Sequence, residues 1–239
     1  LIQNFPKASP AALAEAHFLL GRAAFDQGDF KSSISHMAEA KTLDPQKYGE
    51  QVNVLSVLSY HKLQDVNKLK EALETLQKEN PSAVARVPDV IPAWLGLQAY
   101  GMKDLETADK YMTWATQNDQ LQNVKKVIWR NLAKVRLALK KYDRALVASN
   151  NFLKDEDQPY RRADGMLDKA SILLGLGKYS DARKTAEEAL ALGVEGPLMA
   201  SLKIVLGDIS YAEKKFDEAA KHYGVTAELF VNDAELKPK

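Results

Sequence analysis

Eight cations crowd the stretch from Lys125 to Arg144: Lys125, Lys126, Arg130, Lys134, Arg136, Lys140, Lys141 and Arg144, with Asp143 the one acid among them. Such a concentration suits an acidic peptide, a terminal carboxylate or a nucleic-acid backbone. The plain alternative is a solvated helix face, which carries charge without any partner. Asp164 and Asp168 stand one helical turn apart, close enough to hold a cation or share a proton. A solvated face accounts for them as well, and for the acidic run Asp155-Glu156-Asp157. The four histidines, His17, His36, His61 and His222, show neither H-x3-H nor HExxH spacing, and no carboxylates complete a metal set. Gly175-Leu176-Gly177-Lys178 resembles a phosphate loop only at its end, because Ile172 stands where the first glycine belongs and Tyr179 where Ser or Thr belongs. There is no cysteine, which removes thiolate catalysis, disulfides and Cys-ligated zinc. We expect no catalytic residue, no metal, no cofactor and no enzymatic activity.

Charge over the whole chain is balanced, with 33 Lys and Arg against 32 Asp and Glu in 239 residues. No global field therefore recruits nucleic acid or an anionic membrane. Helical-repeat readers of RNA need a basic stripe in every repeat, and this chain has one basic segment, so nucleic acid is not an expected partner. No apolar run approaches the ~20 residues of a membrane-spanning helix. The first residue is Leu, and no leader is legible, so localisation is not written in the chain. Residues 1–13 read as the tail of a preceding repeat with a linker, and 234–239 as the start of a further one. On that reading the chain is a piece of a longer protein.

The elements that must position these residues repeat. From Ala14 to Pro45 the pattern gives two amphipathic helices joined at Gln27-Gly28-Asp29, with Leu20-Gly21 on the first and Ser33, Met37 and Ala40 at helical spacing on the second. An anchor recurs at Ser33, Leu69, Ala108, Ala145, Ala182 and Ala219, at intervals of 36, 39, 37, 37 and 37 residues; it is small except in the second repeat, the weakest match, where Leu69 replaces it. Three residues before each anchor stands Phe30, Val66, Leu105, Tyr142, Tyr179 or Phe216. Ser9-Pro10 reads as an N-cap with proline in the first turn, and Gly196-Pro197 as a stop and restart. Gly28 and Gly177 supply positive φ in two of the turns; Lys103, Lys140 and Lys214 replace glycine in three others, which predicts looser turns there. Pro81, Pro88 and Pro92 mark Ser82–Pro92 as a non-helical connector, either a longer inter-repeat turn or a hinge between domains.

This grammar resembles the tetratricopeptide repeat, W-x2-L-G-x2-Y…A-x3-F…P. His17 stands at the family's Trp, Leu20-Gly21 at its Leu-Gly, Ala24 at its Tyr, Ser33 and Met37 at its Ala and Phe, and Pro45 at its Pro. The resemblance implies an all-α, right-handed superhelical solenoid of helix–turn–helix repeats. Six repeats are expected within 14–233: about 14–47, 48–81, 89–122, 126–159, 163–196 and 197–233. It further implies a protein-interaction scaffold or adaptor whose concave groove, lined by the first helices, takes a peptide or protein segment. A targeting arm of a larger enzyme is the alternative, and self-association through end repeats another. The opening Phe5-Pro6 and Ser9-Pro10 phrase is similar to extracytoplasmic bacterial members of the family, which favours the cell envelope.

Carried position by position, the groove stripe falls at i, i+4 and i+7 of each first helix. It comprises Phe18, Arg22 and Phe25; Val54, Leu58 and His61; Ala93, Leu97 and Tyr100; Arg130, Lys134 and Leu137; Leu167, Ser171 and Leu174; and Ile204, Asp208 and Tyr211. The expected site is Phe18, Arg22, Phe25, Leu58, His61, Trp94, Leu97, Tyr100, Arg130, Asn131, Lys134 and Tyr211, with Trp94 at the groove edge or turned into the connector. Arg130, Asn131 and Lys134 resemble half of the family's carboxylate clamp, and the two cations lie outside the packing stripe. The aliphatic members have a second reading as core.

Overall fold

A computed structural model describes residues 8–117 and 122–232; the segments assigned above to a preceding and a further repeat lie largely outside them. Twelve α-helices follow one another: α1 (Pro10–Asp26), α2 (Phe30–Leu43), α3 (Pro45–Lys62), α4 (Val66–Glu79), α5 (Val90–Gly101), α6 (Leu105–Thr116), α7 (Gln122–Ala138), α8 (Tyr142–Lys154), α9 (Pro159–Gly175), α10 (Tyr179–Leu190), α11 (Gly196–Ala212) and α12 (Phe216–Asn232). No strand occurs among the described residues. The helices form two compact units, Leu1–Gln98 and Ala99–Lys239. The proline-rich stretch is not where they part, since the division falls inside α5. Nor is that stretch without helix: Pro81–Arg86 is a 3-10 turn packed on α3 and α4. It buries Ala83, followed by Val87, because proline at its start leaves no amide unpaired and the short apolar side chains reach the end of the second hairpin.

The turns inside the hairpins share one construction whether or not glycine is present. Gly28 and Gly177 have φ of 81° and 71°; Gln64, Lys103, Lys140 and Lys214 have 55°, 62°, 57° and 62°. Around each, one amide reaches back three residues and the next reaches back five: Gly28 to Phe25 and Asp29 to Ala24, Lys140 to Leu137 and Lys141 to Arg136, Lys214 to Tyr211 and Lys215 to Ser210. These are Schellman closures, which satisfy two of the carbonyls left over at a helix end. The lysine turns are therefore as tight as the glycine turns, contrary to the expectation from their composition. Two hydrogen bonds hold a side-chain-bearing residue in the left-handed region at a local cost. Asp29, Asp65 and Asp104 then cap the following helices by accepting from the amides of Ser32, Lys68 and Thr107.

Packing follows from small residues. Ser33, Leu69, Ala108 and Ala145 are fully buried, as is Ala182, and Ala219 is 2% exposed. In the first unit Ala14, Met37, Ala40, Tyr48, Val52 and Leu55 form one cluster. In the second, Ala170 on α9 meets Ala182, Ala186 and Ala189 on α10 within a cluster that runs on through Leu202 and Ile209 of α11. The glycines permit contact closer than alanine allows. A Cβ on Gly165 would lie 2.4 Å from the Phe152 ring, so the ring of α8 rests directly on the backbone of α9. Within the second unit each helix packs on the next, and first helices α7, α9 and α11 also touch in succession.

Buried charge fastens neighbouring hairpins. Arg136 and Asp109 are 8% and 9% exposed at the side chain and pair at 2.7 Å between α7 and α6. The guanidinium also donates to the Thr113 hydroxyl at 2.7 Å and the Arg144 carbonyl at 3.2 Å, and Lys141 takes the other carboxylate oxygen at 2.9 Å. Burial pushes the Asp109 carboxyl up, but bonds from Arg136 and Lys141 outweigh it and hold the group below its ordinary value. Arg183 of α10 does comparable work, reaching Ser210, Glu213 and Glu218. In the first unit Lys41 and Asn53 share Glu79.

Two expectations follow. Lys140→Gly and Lys214→Gly should each raise thermal stability, by about 1 kcal/mol, since glycine removes the steric cost of the left-handed residue; a lowered melting temperature would show the turns are not held at positive φ. Asp109→Ala should cost about 3–5 kcal/mol in denaturant unfolding, because it leaves Arg136 buried and unpaired.

Candidate interaction surface

The stripe on the first helices stands at the boundary between core and water. Of its eighteen positions, only Ala93 is fully buried. Between them Ala14, Val57, Leu132, Ala170 and Leu206 are buried. The aliphatic members satisfy both readings given above: Leu58, Leu167 and Leu174 pack against core clusters with one side and keep the other exposed.

In the first unit Phe18 stacks on Tyr48 at 4.8 Å, and Phe25 meets Phe30 edge to face at 5.4 Å. Arg22 is exposed beside Asp26, 3.8 Å away, a pair in open solvent that contributes little. Trp94 packs edge to face against His61 at 5.4 Å. Burial, with a smaller push from Lys62, lowers the His61 imidazole below its ordinary value. Leu97 is half-exposed. His17, in the place of the repeat's tryptophan, is hydrogen-bonded ring to ring with His36, Nδ1 to Nδ1 at 3.0 Å across the hairpin.

In the second unit Tyr100 is half-buried and Tyr211 exposed. The two cations of the half-clamp are engaged. Arg130 pairs with Asp164, and Lys134 lies 3.8 Å from Asp168, two rungs joining α7 to α9. Asn131 donates to the Val127 carbonyl of its own helix at 2.9 Å. Asp164 and Asp168 are thus not a solvated face; their side chains are 22% and 14% exposed. Burial drives the Asp168 carboxyl up to about 6, against the opposing pull of Lys134 and then Arg130. Its Oδ2 makes no hydrogen bond, and neither does Arg130 Nε. The acidic run also departs from the solvated reading at Glu156, which is 2% exposed, accepts from the Gln158 amide and faces Arg161 at 3.5 Å.

Much of the basic stretch is likewise engaged internally. Arg136 is buried on Asp109, Lys141 bridges Glu106 and Asp109, and Lys126 donates to the Asp155 carbonyl. Gly177 of the phosphate-loop resemblance is the left-handed residue of the α9–α10 turn. Among the described residues no three His, Asp or Glu converge as a metal set, and no helix is long and apolar enough to cross a membrane. Residue-by-residue reading missed the acidic partners because they sit one turn earlier on the next first helix. The signal available was the common offset: Asp164 and Asp168 each follow their cation by the same number of residues.

Two models of the tetratricopeptide repeat match the sequence, over residues 14–47 and 167–227, so these segments are tetratricopeptide repeats. Among solved structures it is similar to Naa15/Naa10 bound to HypK-THB, with a TM-score of 0.60 and 14% identity over 98% of this chain and 34% of that one. It is also similar to BtubC from P. vanneervenii, at 0.52 and 17% over 88% and 92% of the two chains. PilW, a widely conserved type IV pilus biogenesis factor, gives 0.51 and 15% over 94% and 96%. At these identities the likeness is one of fold. No curated protein matches the sequence significantly.

Asp168 gives the surface a measurable pH dependence. Its folded-state value, about 6, lies above the ordinary 3.8. Between those values the folded chain holds the proton that the unfolded chain releases, so stability falls as pH rises through that window. The loss should be on the order of 2–3 kcal/mol, complete above about pH 6. Asp168→Asn should flatten this slope in urea titrations at pH 4–7; an unchanged slope would assign the dependence to another group.

Proposed function

We propose that the chain is a protein-interaction scaffold that receives a peptide or protein segment along the first-helix stripe of its repeats. The observation that supports this is the exposure pattern. A stripe that served only as core would be sealed by its neighbours, yet all but one of its positions keep an edge in solvent. In the first unit the surface comprises Phe18, Arg22, Phe25, Leu58, His61, Trp94 and Leu97. In the second it comprises Tyr100, Arg130, Asn131, Lys134 and Tyr211. Half-exposed aromatics are the residues that release most apolar area on docking at small cost in side-chain freedom. In this reading the repeats keep the six boundaries expected from the sequence, and the Phe5-Pro6 and Ser9-Pro10 phrase supports a place in the bacterial cell envelope.

The internal pairs refine the chemistry. A partner carboxylate aimed at Arg130 or Lys134 has to compete with Asp164 and Asp168, so apolar contact leads and charge follows.

Partner capture by the full-length protein tests the reading. Arg22→Glu and Tyr100→Ser alter stripe residues that lie outside the buried clusters. Each should weaken binding of the captured partner by about tenfold, roughly 1.4 kcal/mol, at an unchanged melting temperature. Undiminished binding by both variants would move the site off the stripe.

A further inference from the structure

A crevice of about 350 Å³ opens where α8, α9 and α10 meet, in the interior of the second unit. Leu146, Leu173 and Thr185 form its base; the last two are buried and Leu146 is half-buried. Around that base stand Lys169, Lys178 and Lys184, with Asp181 and Glu188. None of these residues belongs to the first-helix stripe. Lys169 and Leu173 lie two and six residues after Leu167, which puts them on the far side of α9.

A crevice of about 210 Å³ opens in the first unit along α3 and α4. Measured from the anchors Leu69 and Ala182, six lining positions correspond. Ser56 stands for Lys169, Tyr60 for Leu173, Lys68 for Asp181, Glu71 for Lys184, Ala72 for Thr185 and Thr75 for Glu188. The hairpin therefore makes the crevice, and its charges vary on a common frame. In the first unit Lys68 and Glu71 close on each other at 2.8 Å and leave it neutral. In the second, Lys184 lies 4.0 Å from Glu188, and those two charges cancel. Asp181 stands in the first turn of α10, where the helix start favours a carboxylate. Among the described residues the side chains of Lys169 and Lys178 have no ion pair and no hydrogen bond. Lys169 is half-buried, so holding it against an anion costs less side-chain freedom than at a fully exposed lysine.

Two unclaimed cations against the one carboxylate of Asp181 leave a single positive charge over an apolar base, which suits one carboxylate on an aliphatic stem. The crevice is open to solvent, so the main chain that carries such a side chain has a path across it. We propose that it receives an acidic side chain of a bound protein segment, with Lys169 and Lys178 as the cations. This rests on the scaffold reading and adds an anchor outside the stripe. A doubly charged phosphate group would be opposed by Asp181. Ion pairs near the surface are modest, so the two lysines together should favour a glutamate over its neutral isostere by about five- to tenfold. Salt should weaken the contact.

The probes are Ac-Ala-Glu-Ala-NH2, its Gln and Lys counterparts and inorganic phosphate, each titrated at millimolar concentration into the full chain labelled at its lysines. The readouts are the Cε signals of Lys169 and Lys178, with Lys68 of the neutral crevice as the reference. The Glu peptide should move the first two saturably, the Gln peptide about five- to tenfold more weakly, and the Lys peptide not at all. Lys68 should stay in place throughout. Lys169→Met and Lys178→Met keep an unbranched stem and remove the charge. Each should bring the Glu peptide down to the Gln level, read at the remaining lysine. Equal shifts from all three peptides, no shift from any, movement of Lys68 as large as that of Lys169, phosphate shifts that match those of the Glu peptide, or no effect of either variant would overturn the site. Capture of the natural partner, and its loss in Arg22→Glu or Tyr100→Ser, would still stand in that event, so the two ideas fail separately.

Discussion

Two helices of a hairpin approach each other most closely along their length where their facing side chains are small. Ser33, Ala108, Ala145, Ala182 and Ala219 meet this condition and are sealed from water. Where alanine is still too large, glycine lets a ring rest on backbone, as Phe152 does on Gly165. Dispersion contacts made at that distance are individually weak and collectively large, and a gap of roughly 0.5–1 Å already forfeits a quarter to a half of them. The Schellman turns serve the same constraint. They end the first helix abruptly enough for the second to begin at the right height, and they do so with lysine or glutamine where the sequence offers no glycine.

Polar groups take up what small residues leave unfixed. Sliding one hairpin along the next would cost little in apolar area, but it would pull Arg136 off Asp109 or Arg183 off Glu213 and Glu218. Desolvated pairs of this kind contribute little net attraction, and their geometry makes every other register worse. The rungs from Arg130 to Asp164 and from Lys134 to Asp168 extend the principle to the half-exposed surface. There the incomplete solvation of Asp168 raises its proton affinity.

The half-exposed stripe is what remains after both demands are met. Its aromatic members are not surplus core residues, for they bridge turns and neighbouring helices with one side while facing water with the other. Phe18 on Tyr48 and Trp94 against His61 show this in the first unit, as Tyr211 against Phe216 does in the second. Charges differ from one repeat to another at equivalent places. Arg22 and Asp208 are the clearest contrast, and it is at such places that a repeated scaffold acquires local chemistry.

The sequence by itself determined the helices, their pairing and the residues that pack them. Helical periodicity and recurrence at near-constant intervals are local properties, and small anchors can be counted without coordinates. It also indicated which residues stand on the stripe, because i, i+4 and i+7 share a face on any α-helix. Only the tertiary structure decided which charges are already spoken for. Arg130, Lys134, Arg136 and Lys141 read as one basic patch in the chain, yet each faces a carboxylate on another helix. The lysine turns and the 3-10 turn over Ala83 were beyond composition for a related reason. Backbone hydrogen bonds and burial by neighbouring helices outweigh the intrinsic preference of a single residue, and both depend on where the rest of the chain comes to lie.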